Sequence, residues 1–122
     1  MSTVSFLHAR LADSLLLFFA IAAVGSLVAA LRRSGVSSAM WGVLAVGELL
    51  ALAQAGLGVA TYVAGGRPAR DVHILYGIVA VVSLPAYYAF SRGRDDRRAS
   101  WAYALMCLFL AGISARAAST GA

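Results

Sequence analysis

The sequence holds two histidines, His8 and His73, and each stands at the start of an apolar stretch. A neutral imidazole nitrogen is a good ligand for a transition metal. Two imidazoles at one depth on facing helices are what an axially bis-ligated haem iron requires, and bundle cores are where such cofactors sit. Two are too few for a structural zinc site, which takes four ligands, and no Cys or carboxylate clusters with them. Asp71 is near His73 in sequence order only. The bland alternative is a pair of interfacial histidines that simply meet water or headgroups.

Further polar groups fall in or beside the apolar runs. Glu48 is the only acid well inside one, roughly 15 Å from the start of its helix at about 1.5 Å per residue. It could relay protons, bind a quinone hydroxyl, or join neighbouring helices by a hydrogen bond. Gln54 follows six residues later, about 240° around a helix from Glu48, so the two do not share one face. Gly47, Ala51, Ala55 and Gly58 fall at helical spacing and give their helix a smooth face, open to a packed neighbour or to a flat ligand. Gly58 lies about 9 Å from that helix's outer end, near the level of the histidines. Arg10, Arg70 and Arg116 flank the same level and could pair bidentately with cofactor carboxylates. Each is also explained as a snorkelling interfacial arginine. Cys107, the single cysteine, reads as a small buried hydrophobe, and no disulfide framework can form.

Composition sets the elements that must position these groups. Of 122 residues, 61% are apolar and 12% charged, against about 45–50% and about 25% in soluble domains. All ten basic residues are arginine, and five acids leave a net charge of +5. The arginines punctuate apolar runs and do not gather into a patch, so a nucleic-acid partner is not expected. A bilayer core of about 30 Å takes roughly 20 apolar residues per helix. Four stretches meet that, over 11–31, 39–64, 72–90 and 99–115. Their short connections predict an all-α, integral-membrane, antiparallel four-helix bundle, a single transmembrane domain over 1–122. Pro85, inside the third span, predicts a kink. Asp13 near the start of the first run, with no small-residue cleavage site after it, argues against a signal peptide.

The loops after the first and third spans carry Arg32, Arg33, Arg92, Arg94, Arg97 and Arg98, and the other side carries Arg10, Arg67, Arg70 and Arg116. The positive-inside rule then places both termini on the outer side of a cell membrane. Trp41, Trp101, Tyr62, Tyr76, Tyr87 and Tyr88 cluster near span ends, as belt aromatics do.

The run Ser5-Phe6-Leu7-His8-Ala9-Arg10 leading into an apolar helix resembles the His-Arg start of a haem-binding helix in the haem A synthase family. Gln54-Ala-Gly-Leu57-Gly58, the Gly65-Gly66 loop and then His73 on the next helix are similar to that family's Gln-x-x-Leu-Gly helix, short outer loop and second histidine. The resemblance covers roughly residues 5–90. It implies a four-helix haem bundle with His8 and His73 as iron ligands near the outer face, and Gln54 and Gly58 on the helix between them. Where the family carries a Glu one turn before its first histidine, this chain has Ser5. Only one bundle is present where most members have two, and the family's extra helix comes first, not last. The implication therefore extends to the haem-holding bundle and not to the synthase reaction.

Two functional classes follow. One is a haem-b-binding membrane protein passing single electrons to a redox partner or acting as a subunit of a larger redox complex, with quinone as a candidate substrate. The other is a structural or assembly subunit without cofactor, packing through small-residue faces on partners or on its own copies. A transporter is the weaker third reading, because one buried acid and no visible inverted repeat give little from which to build a pathway.

Overall fold

A computed structural model describes residues 3–65 and 72–121 of the chain. They form four helices: α1 Thr3–Leu31, α2 Ser38–Val63, α3 Val72–Phe90 and α4 Arg97–Gly121. All four are long and apolar enough to cross a membrane. Each packs on its two neighbours in chain order and α4 closes on α1, so α1 faces α3, and α2 faces α4, only across the bundle's diagonals. The fold is the antiparallel four-helix membrane bundle that the apolar pattern predicts. Thr3 of α1, Val63 of α2, Val72 of α3 and Gly121 of α4 lie at one end, here the terminal end. The α1–α2 and α3–α4 loops lie at the other, the double-loop end.

Two helices outrun their apolar stretches. α1 begins at Thr3 instead of 11, and α4 runs on to Gly121 instead of stopping at 115. Arg10, Asp13 and Arg116 interrupt hydropathy there, but charged side chains are no bar to a helix that emerges from the hydrocarbon. His8 is consequently a residue of the second turn of α1 and does not precede the helix. α3 stays helical through Pro85. Just before it, Ser83 Oγ donates to the Val79 carbonyl at 2.6 Å, a back-bond that accompanies bending.

The tightest seam is α1 against α4. Small residues on both sides, among them Ala22, Ala23, Ala30, Ala99, Cys107 and Ala111, are buried there and let the backbones approach. Phe19 and Tyr103 are buried as well: Phe19 lies against Gly47 of α2, and the Tyr103 ring packs edge-on against Trp41 of α2 and Tyr87 of α3. The smooth face of α2 lies on α1: a Cβ on Gly47 would sit 3.1 Å from both Phe18 and Phe19. α3 contributes Leu84 alone to the fully buried core. Large apolar side chains such as Leu17, Ile21 and Leu105 point outward, as suits a lipid solvent.

The core is concentrated in the double-loop half. Among the described residues, none of 6–14, 52–63 or 72–83 is fully buried, whereas 15–51 and 84–114 supply the whole core. A close-packed interior would leave no such difference.

Helix ends at the double-loop end follow one pattern. The amide of Ser34 bonds the Ala29 carbonyl at 2.8 Å and that of Gly93 bonds the Tyr88 carbonyl at 3.0 Å, so α1 and α3 both close in Schellman turns. The left-handed position is filled by Arg33 (φ 59°) and Arg92 (φ 56°), where glycine is the unstrained choice. α2 ends on such a glycine, Gly65, at φ 104°. Arg33→Gly is expected to raise stability by about 1 kcal/mol through relief of the left-handed strain. Unfolding by SDS titration in mixed micelles checks it, and an unchanged or lowered midpoint contradicts it.

Candidate functional site at the terminal end

His8 and His73 come from helices that do not otherwise touch, yet their ring centroids lie 6.1 Å apart with planes 83° to each other. The two rings meet across the diagonal of the bundle, inside its loosely packed half.

Each ring is oriented by a backbone carbonyl on a third helix. His8 Nδ1 lies 3.1 Å from the Gln54 carbonyl on α2. His73 Nδ1 lies 2.8 Å from the Ala117 carbonyl on α4. A carbonyl only accepts, so each Nδ1 carries a proton, and in the neutral ring the lone pair is then on Nε2. That is the outer-shell arrangement of metal-bound histidines, whose second ring nitrogen donates to a carbonyl or carboxylate. All four helices thus take part in the pair: α1 and α3 carry the rings, α2 and α4 aim them.

Gln54 binds His8 twice. Its side-chain Nε2 donates to the His8 carbonyl at 2.7 Å while its own carbonyl receives the His8 ring. The remaining amide oxygen, Gln54 Oε1, is shielded from solvent without a hydrogen-bond partner among the described residues, an arrangement that costs free energy unless a donor is supplied. Gly58, one turn on, makes room for the ring. A Cβ there would lie 3.1 Å from His8 Cε1. Gly58→Ala is expected to displace the imidazole at a cost of about 1 kcal/mol. Gly56→Ala, where nothing lies within 4 Å, should instead gain about 0.5–1 kcal/mol from helix propensity. SDS titration of the two variants side by side distinguishes them, and matching midpoints would place the ring elsewhere.

No family model, curated protein or solved structure matches this chain.

Of the other residues singled out in the sequence, Arg10 is exposed and lines a groove of about 400 Å³ between α1 and α2, with Asp13 and Leu57 among its walls. Arg116 is exposed one residue before the Ala117 carbonyl that holds His73. Arg70 lies outside the described residues, as do Arg67 and Asp71. Glu48 lies away from the pair, and its Oε1 is shielded without a partner among the described residues. Cys107 is fully buried in the α1–α4 seam, as a small hydrophobe would be. No group of three or more His, Cys, Asp or Glu side chains gathers among the described residues, so the two imidazoles are the metal-binding capacity of this site.

Sequence reasoning did not find Ala117. Its contribution is a main-chain oxygen, which carries no residue signature. The only signal for it was that α4 could continue past Arg116 far enough to bring a carbonyl opposite His73.

Proposed function

We propose that this chain is a membrane haem-b protein in which His8 and His73 are the axial iron ligands and which passes single electrons, alone or as a subunit of a larger redox complex. The observation that supports it most is the His8–His73 pair itself, with both Nδ1 atoms bonded to backbone carbonyls. A metal between two imidazoles, with bonds of about 2 Å each, puts the ring centres about 6 Å apart. The rings here stand at 6.1 Å. The scarcity of fully buried residues around them suits a flat apolar group that would complete the core on binding. Bound haem would supply reversible one-electron chemistry at iron, and such a site needs no acid–base residue beyond its ligands.

The chain's own part is to hold geometry. Gln54 and Ala117 fix the tautomers and raise the basicity of the ring nitrogens. Gly58 leaves the His8 ring its place, and the Gln54 side chain ties α2 to the His8 carbonyl. Arg10 and Arg116 are exposed at the same end as the two rings, the level that carboxylate substituents of such a group would reach. With six arginines on the double-loop side against four on the other, the terminal end faces outward from a cell membrane. Ser5 stands where the family it resembles has a Glu, so we assign electron transfer and not the oxidation of a haem substituent.

The test is the absorption spectrum of protein purified from haem-replete cells in mild detergent. A low-spin haem spectrum that sharpens on reduction, at about one haem per chain, is expected. A colourless preparation overturns the proposal. It would favour the assembly subunit instead, which has its own support in Gly42, Gly56, Gly77 and Gly112, where an added Cβ meets nothing within 4 Å and a neighbouring helix could approach closely.

A further inference from the structure

The double-loop end carries a second charged site, unrelated to the histidines. A groove of about 470 Å³ opens where α3 ends and α4 begins, lined by Tyr87, Phe90, Ser91, Arg92, Arg94 and Arg98. Three of its six lining residues are arginine. Their neighbour Arg97 is already committed, its Nε donating to the Ala30 carbonyl at 3.0 Å. Arg94 has Asp96 at 4.0 Å, both well exposed, a pair of little strength. The guanidiniums of Arg92 and Arg98 make no ion pair or side-chain hydrogen bond among the described residues.

We infer that this groove binds the phosphate-bearing headgroup of an anionic phospholipid. Arginine's planar fork matches phosphate oxygens bidentately, and two such forks line this groove without an ion pair of their own among the described residues. Place selects a lipid over a soluble anion. The groove sits at the ends of two membrane spans, Val72–Phe90 and Arg97–Ala117, and so at headgroup depth. Phe90 on its wall is 87% exposed, an aromatic ring turned outward at the interface. The two spans that meet at the groove carry exposed apolar side chains, Val82 on α3 and Leu105 and Leu108 on α4, along which acyl chains can lie. Polybasic segments on the cytoplasmic side attract anionic lipid generally. A walled groove adds preference for one location.

The experiment uses the full chain reconstituted in phosphatidylcholine bilayers, with Trp41 and Trp101 as reporters. Trp41 stacks edge-on against Tyr88 at the end of α3, and Trp101 is part-exposed in the first turns of α4. Brominated phosphatidylglycerol is expected to quench with an apparent affinity several-fold above brominated phosphatidylcholine. In R92Q/R98Q that preference should fall to near parity. R32Q/R33Q, which removes the same charge from the same side but outside the groove, should keep most of it. Equal quenching of the unaltered protein by the two lipids overturns the inference, and does so whether or not any variant folds. Equal loss in both double variants also overturns it, since diffuse surface charge would then suffice. Displacement of phosphatidylglycerol by millimolar inorganic phosphate would overturn the lipid as occupant and leave a soluble phosphate ester in its place.

Discussion

Alanine at either His8 or His73 is expected to abolish the low-spin haem spectrum of the purified protein while leaving its helix content and its behaviour in detergent unchanged. Neither histidine belongs to the fully buried core. Among the described residues each contributes one ring hydrogen bond, worth about 0.5–1.5 kcal/mol. As an iron ligand each is half of the axial field, and its loss should exceed the 10–100-fold in affinity that outer-shell changes cost. The predicted pattern is therefore a large spectral loss with a small stability loss. Interfacial histidines would give the same small stability change with no spectrum in any form, the unaltered protein included. Gln54→Ala provides a graded control. It removes the side-chain bond to the His8 carbonyl but keeps the main-chain oxygen that receives the ring. Haem should be retained, about tenfold more weakly. Loss of the spectrum in Glu48→Ala, with both histidine variants still coloured, would sink the ligand assignment.

Gly35→Ala is expected to lower stability by about 2–4 kcal/mol, the largest loss foreseen for a single methyl group in this chain. A Cβ at position 35 would collide with the Asp95 carbonyl and crowd Asp95 C and Asp96 Cα, each 3.2 Å away. All three are main-chain atoms, so no rotamer change relieves the clash. The loops must part, and three bonds between them are at stake: Val36 N to the Asp95 carbonyl at 2.7 Å, Ser100 Oγ to the Ser34 carbonyl at 2.7 Å, and Arg97 Nε to the Ala30 carbonyl at 3.0 Å. SDS titration in mixed micelles measures the loss. A midpoint equal to that of the unaltered protein would mean that the two loops are not interlocked as described. Haem content should be unaffected, because the histidines lie at the far end of every helix that Gly35 disturbs.

The spans were legible where an apolar run meets charge. α1 and α3 stop at Leu31 and Phe90, where the pattern predicts, because arginine follows within two residues. The outer ends of α1 and α4 were not legible, since Arg10, Asp13 and Arg116 interrupt hydropathy without interrupting the helix. Antiparallel arithmetic put His8, Gly58 and His73 at one end. It could not say that α1 and α3 are diagonal partners, because helix order around a bundle leaves no periodic trace in sequence. The smooth face of α2 was visible as Gly47, Ala51, Ala55 and Gly58, and the structure adds what lies on it: Phe18, Phe19 and the His8 ring. Two arginines in left-handed Schellman positions ran against the usual preference for glycine. Gly35 and Gly93 nearby gave no hint that neither fills the position, because which residue does so depends on where the helix stops, within a residue.

The uneven core divides the bundle's mechanics as a clothes-peg's are divided. Interlocked loops and buried small-residue packing form the spring at one end, while the jaws at the other hold only two rings between them. A flat ring system entering at the jaws would disturb the terminal turns alone and leave the spring untouched. A protein built this way can admit a large guest after it has folded, without reopening its core.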